Sequence, residues 1–338
     1  MKILMIMPVS IGDVVLTTPT IEAVKKKYSQ STLSYAVQKG PYAQVLENNP
    51  YIDKLILLNG NYLDEIRKGN YLQALRKEID DYPTYDLVIN FRDDKGAVNQ
   101  KDLKNKHAAY YFAKKAGVKI DSIQPRVYID KIRAHEADEI IEKLQLEKET
   151  KLIVISPYCG FNNETNNKRK WSIDNFIFLM NEIGKTQKAK FIIIGAKNDP
   201  IVEHPSAINL MGYNLSTVAS IISRSHLFIG LDSGMIHIAA AFDVPIVDVL
   251  FPSLPELWHP PNNCHVVFCS RRKIRNYTKI EDLKKEQVLK YCQLFLAKPL
   301  LKKRMIIRFY PKIRDMIARC IDTLPIRRLC LHKNERCL

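Results

Sequence analysis

The chain has 338 residues and a mass of 39.0 kDa, more than one ordinary domain needs and comfortable for two. Hydrophobic residues at 46% and charged residues at 26%, with 12 Gly and 17 Pro, exclude a disordered or collagen-like chain, and no apolar run is long enough to span a bilayer as a helix. Lys and Arg number 52 against 36 acids, for a net charge of +16, and from Pro299 to Leu338 eleven Lys or Arg stand against three acids. A basic block of that kind argues for an anionic partner: nucleic acid, a lipid surface or a phosphorylated glycolipid.

The opening MKILMIMPVSIGD starts like a secretion signal. Its apolar stretch is short, however, and Gly12-Asp13 interrupts it where a cleavage region belongs, so a soluble cytoplasmic chain is expected. Lys2 to Met7 reads as a buried strand, followed by a loop and a helical pattern from about Val14 to Tyr28. Further strand-like runs fall at Leu33 to Val37, Lys54 to Leu58 and Asp86 to Phe91, with helical material between them. An acidic helix from about Ala134 to Leu146 closes the first half. A second series begins with a strand at Leu152 to Ser156, a helix near Asp174 to Lys185 and a strand at Lys190 to Gly195. It continues with a helix near Ser216 to Ser223, a strand at Leu227 to Gly230, a helix near Met235 to Ala241 and a strand at Val244 to Phe251. Such alternation makes parallel βαβ units, and the length suits two Rossmann-like halves, 1–150 and 151–298. The rest, 299–338, is expected as a basic helical tail that includes a helix at about Tyr310 to Cys320. Seven cysteines with no CxxC pair fit neither a structural zinc site nor a disulfide framework and read as free thiols.

In open parallel sheets ligands sit beyond the carboxyl ends of the strands, so the loops there hold the candidate residues. The first is Pro8-Val9-Ser10-Ile11-Gly12-Asp13. Gly12 permits close backbone approach to a ligand, and Asp13 falls in the first helical turn, either as a simple cap or as a base. A helix N-terminus lowers a carboxyl pKa, whereas closure that dries the site raises it. The dinucleotide fingerprint GxGxxG is absent. The second loop contains Lys168-Arg169-Lys170-Trp171, three cations that suit a diphosphate or else form a solvated surface. The third, Asp232-Ser233-Gly234 followed by His237, runs from strand to a small-residue helix whose first N–H groups would receive phosphate oxygens. His237 is either structural or functional. Asp93-Asp94 are adjacent carboxylates without the spacing of a metal-binding DxD, and read as a solvated turn.

SIGDVVLTTPTIEAVKKKY, KRKW and GLDSGMIHIAAAFDVPIV together resemble the heptosyltransferase family, glycosyltransferase family nine, over roughly residues 1–295. That resemblance implies the two-domain GT-B fold, with an acceptor half and a nucleotide-sugar donor half. It also implies inverting transfer without metal or other cofactor, from a nucleotide-diphosphate sugar onto a lipid-anchored core oligosaccharide at the cytoplasmic face of a Gram-negative inner membrane. By the same resemblance Asp13 is the general base. Lys168 and Arg169 hold the diphosphate, and Gly12, Asp232, Ser233, Gly234 and His237 line the donor pocket. Two departures stand out: Arg169 occupies the position, two residues before the Trp, that the family usually gives to Lys, and the helix near Leu215 lacks the Glu that often contacts the donor ribose. The basic tail, with Leu300, Leu301, Met305, Ile306, Ile307 and Phe309, is placed to dock on the anionic membrane surface or to pack back on the fold.

Other readings are a transferase of the same fold with another nucleotide sugar or acceptor, a non-catalytic carbohydrate-binding homologue, and a nucleic-acid-binding protein. The last is disfavoured because the tail has few interleaved aromatics and no recognition motif, so no nucleic-acid partner is expected.

Overall fold

A computed structural model describes residues 1–92, 106–160, 170–250, 255–262, 265–270, 283–297 and 304–309. The first half opens with β1 (Lys2–Ile6), α1 (Ile11–Leu16), α2 (Thr18–Lys27) and β2 (Thr32–Gln38). It continues through α3 (Pro41–Gln44), β3 (Lys54–Leu58), α4 (Tyr62–Arg67), α5 (Tyr71–Glu78) and β4 (Leu87–Asn90), and ends with α6 (Ala108–Lys115) and α7 (Lys131–Glu142). Its four strands are parallel in the order β3-β2-β1-β4. Ile3 to Ile6 are all buried because both faces of β1 are covered, the pattern expected of a central parallel strand.

The single helix expected from Val14 to Tyr28 is two helices broken at Thr17. Pro19 lies in the first turn of α2, where its missing N–H costs nothing. The Thr17 and Thr18 hydroxyls donate to the carbonyls of Val14 and Val15, each at 2.7 Å, and so close the end of α1.

The second half begins with β5 (Lys151–Ser156), α8 (Ile173–Thr186), β6 (Ala189–Gly195), β7 (Ala207–Met211), α9 (Leu215–Ser223) and β8 (Leu227–Leu231). It ends with α10 (Gly234–Ala239), β9 (Ile246–Leu250), α11 (Pro255–Trp258), β10 (His265–Ser270), α12 (Lys285–Ala297) and β11 (Arg304–Phe309). Seven parallel strands run in the order β11-β10-β9-β8-β5-β6-β7. Three of them, β7, β10 and β11, were not anticipated. β11 lies at the start of the basic tail, where residues 304–309 pair with β10 along its full length as an edge strand. Its M-I-I-x-F run is rich in strand-favouring residues, and the flanking cations mask that signal. The expected helix at Tyr310 to Cys320 lies outside the described residues. Among the described residues no helix is long and apolar enough to cross a membrane.

Strand order reverses between β1 and β4 in the first sheet and between β5 and β8 in the second. Such reversals open a crevice at the carboxyl ends of the strands. The two halves meet there, α1 against α10, with α7 packed on α9. One apolar cluster crosses that junction, joining Val14 and Val15 to Ile236 and Ile238, and Ala137 to Val218 and Ile222.

Candidate active site

Asp13 enters the crevice through an unusual turn. Ser10, at the N-cap of α1, has φ 73°, a left-handed conformation that costs a non-glycine residue energy and is held by its surroundings. Three residues on, Asp13 lies in the first helical turn and is only 8% exposed. Burial raises its carboxyl pKa above the usual value, opposed by the Arg92 charge and by a hydrogen bond from Ser10. Arg92, just beyond β4, places Nη1 3.9 Å from Asp13 Oδ2. Its backbone is fixed by Asn90, whose Oδ1 accepts from the Arg92 N–H at 3.2 Å and from the Tyr71 hydroxyl at 2.8 Å.

Opposite lies the loop after β8. Asp232 is 8% exposed, and its N–H donates to the Val249 carbonyl. Ser233 caps α10, its Oγ accepting from the Met235 N–H at 3.3 Å. Gly234 explains itself sterically: a Cβ there would lie 2.7 Å from Ile11 Cβ and 2.8 Å from the Gly12 nitrogen. A Cβ on Gly12 would in turn lie 2.9 Å from His237 Cδ2. Two glycines thus let the two halves touch backbone to backbone, immediately beside Asp13. The structure brings Gly12, Asp13, Asp232, Ser233, Gly234 and His237 to one corner. Lys168 and Arg169 lie outside the described residues, as do Asp93 and Asp94. Trp171, the last residue of KRKW, is buried edge-to-face on Phe176 and anchors the end of that loop in the second core.

His237 is buried, its Nδ1 has no partner among the described residues, and burial takes its pKa down to about 3, so the ring is neutral. Near it lie three further histidines, His107, His259 and His265, that the sequence reading did not single out. His107, at the start of α6, accepts the Ala109 N–H at Nδ1, so its Nε2 carries the hydrogen and lies 3.1 Å from the His259 carbonyl in the other half. The His107 and His259 rings lie 4.8 Å apart, and His265 stacks on His259 at 5.3 Å. Burial, reinforced by the neighbouring histidines, pushes the His107 pKa well below its ordinary value. Among the described residues no group of three or more His, Cys, Asp or Glu is arranged to hold a metal ion.

Polar contacts also tie α9 to the first half. Gln44 accepts the Leu215 N–H at Oε1, 2.9 Å away, and its carbonyl accepts the Ser216 hydroxyl at 2.7 Å. The Thr217 hydroxyl donates to Glu136 of α7 at 2.5 Å, and Arg224 pairs with Asp138 at 2.9 Å. A glutamate therefore reaches the start of α9 from another helix, where the sequence showed none within α9 itself. Deeper in the second half, Asp248 is fully buried, and neither carboxylate oxygen has a partner among the described residues. Burial, and then the proximity of Asp232, raises its pKa well above the ordinary carboxylate value.

Two parallel sheets whose switch-point loops meet across a crevice make a GT-B fold, the frame of a large class of nucleotide-sugar transferases. Residues 83–290 match the family model of glycosyltransferase family 9 (heptosyltransferase), and the chain belongs to that family. It is similar in fold to a family 9 glycosyltransferase from Veillonella parvula, with TM-score 0.72 and 22% identity over 88% of this chain and 97% of that one. The ADP-heptose LPS heptosyltransferase II of E. coli superposes with TM-score 0.66 and 18% identity over 89% of this chain and 100% of that one. The E. coli heptosyltransferase WaaC, solved with ADP, gives 0.60 and 14% over 87% and 100%. No curated protein sequence matches the chain.

Proposed function

We propose that this family 9 glycosyltransferase transfers heptose from ADP-heptose to a lipid-anchored lipopolysaccharide core acceptor, inverting the anomeric carbon and needing no metal. The observation that carries this reading is Asp13, a dry carboxylate of raised pKa set against the Asp232–His237 loop by the contact between Gly12 and Gly234. A base must lie in reach of the attacking hydroxyl and hold the proton it takes, and burial raises the proton affinity of Asp13 above that of an ordinary carboxylate. Asp13 takes the proton of the acceptor hydroxyl as that oxygen attacks the anomeric carbon. The nucleoside diphosphate departs on the opposite side, which inverts the centre.

Lys168 and Arg169 neutralise the growing negative charge on the leaving diphosphate, an interaction strongest in the transition state. Ser233 and Gly234 offer backbone N–H groups to the same phosphates. Asp232 and His237 complete the donor pocket, the neutral imidazole serving as a hydrogen-bonding group rather than a charge. The E. coli heptosyltransferases solved with ADP, and with ADP-2-deoxy-2-fluoro heptose, support ADP-heptose as the donor. The basic residues near the C-terminus hold the enzyme peripherally to the anionic cytoplasmic face of the inner membrane, where such an acceptor sits.

The test is a panel of ADP-, UDP- and GDP-sugars with truncated core lipids, read by released nucleoside diphosphate in excess chelator. Acceptor-dependent release of ADP from ADP-heptose is expected. Release from a UDP- or GDP-sugar alone would reassign the donor, and release from none would remove the transferase reading.

A further inference from the structure

Arg92 is an odd residue for a structural role. Its side chain is 18% exposed, yet among the described residues it makes no hydrogen bond, and its Nε is buried without a partner. A guanidinium carries five donors in a fixed fork, and one kept for architecture normally spends them on carbonyls or carboxylates, because an unpaired buried donor is a standing cost. The interaction Arg92 does make is ionic, Nη1 to Asp13 Oδ2 at 3.9 Å, beyond hydrogen-bond length. The backbone beneath it is well braced: Asn90 holds the Arg92 N–H, and Lys115 donates to the Phe91 carbonyl at 3.0 Å. The fold thus invests in the position of a charge rather than in a cross-link.

We propose that Arg92 is a positioning residue for the reaction, a fixed guanidinium that keeps the buried Asp13 in its ionised, proton-accepting form. The proposal rests on the reading of Asp13 as the base. Burial favours the neutral acid, which is useless for taking a proton, and an opposite charge within about 4–6 Å is the standard counterweight. Among the described residues, the other titratable groups brought to this corner do not supply one. Tyr35 of β2 is buried, hydrogen-bonded to Thr17 and held un-ionised by burial. His237 of α10 and His107 of α6 are neutral for the same reason. Lys115 of α6 directs its ammonium at the Phe91 carbonyl.

The decisive experiment follows the Asp13 carboxyl by NMR of carboxyl-labelled aspartate in the full chain, with Asp13→Asn to assign the signal, and so needs no substrate. Arg92→Gln and Arg92→Met should raise the Asp13 midpoint by about one to three pH units, while Arg92→Lys, which keeps the charge, should leave it within about half a unit. An unmoved midpoint in both neutral variants overturns the proposal, and so does failure of both to fold, which would make Arg92 structural. Turnover of ADP-heptose against pH is the second readout: in Arg92→Gln the acid limb should move up with the midpoint, and a loss equal at every pH would contradict the positioning role. Asp13→Asn with normal turnover would remove Asp13 as base, an outcome distinguishable from an unmoved midpoint.

Discussion

Gly234→Ala isolates the contact between the two halves. Alanine is the better helix former, by about 1 kcal/mol, so propensity alone favours the change. The new Cβ, however, would lie 2.7 Å from Ile11 Cβ and 2.8 Å from the Gly12 nitrogen, where carbon contacts need about 3.5–4.0 Å. The overlap is therefore about 1 Å, and forcing it costs about 1–3 kcal/mol, which outweighs the gain. Since the colliding atoms belong to different halves, the cheapest relief is to part α1 from α10 by that distance rather than distort either sheet. Asp13 follows Gly12 directly, so it moves too, and a 1 Å misplacement at the reacting centre can cost about 10²-fold in rate.

The expected result is turnover reduced by about two orders of magnitude, with Tm lowered by a few degrees at most. Gly184→Ala on α8 is the control, because a Cβ there meets nothing within 4 Å. It should stabilise by up to about 1 kcal/mol, a few degrees in Tm, and leave turnover untouched. Gly234→Ala with turnover within about threefold of the parent would refute the closed contact as the working geometry.

Asp248→Val removes two unpartnered oxygens from the core and should stabilise the protein by on the order of 1–3 kcal/mol near pH 8. Because the folded-state pKa of Asp248 is raised, the parent loses stability as pH climbs from the ordinary carboxylate value towards the folded one, so the variant's advantage in urea unfolding should shrink towards pH 4 and a constant gap would be contrary. Arg169→Ala should lower turnover and weaken nucleoside diphosphate binding in calorimetry; unchanged product affinity would return the KRKW loop to the solvated surface. Ending the chain after Phe309 should abolish salt-sensitive binding to anionic vesicles while sparing donor hydrolysis, each lost cation being worth about 1 kcal/mol. Ending it before Arg304 should also lower Tm, since β10 then loses its edge partner; equal stability of the two truncations would deny β11 a structural part.

What the sequence displays depends on how local the physics is. The buried runs of β1, β5 and β8 are continuous apolar stretches, and the loops after β1 and β8 carry their glycines, acids and caps within a few residues, so both the strands and the candidate site could be read directly. β7 hides because Asn209 breaks its apolar run, and the M-I-I-x-F stretch of β11 hides between cations. The break at Thr17 turns on threonine hydroxyls returning to their own carbonyls, a choice Pro19 hints at without deciding. Arg92 and Asp13 are far apart in sequence, and no pattern near either announces the pair. His259 and His265 stack within the second half, and only the docking of one half on the other brings His107 to them.

The central claim is that Asp13 performs the proton transfer in a sugar transfer across this crevice. The most direct measurement is acceptor-dependent turnover of ADP-heptose by Asp13→Asn, with donor affinity measured on the same sample. General-base help is worth roughly 10²–10⁴-fold, so turnover should fall by that factor while donor binding stays close to the parent's. Near-normal turnover in the asparagine variant would contradict the account.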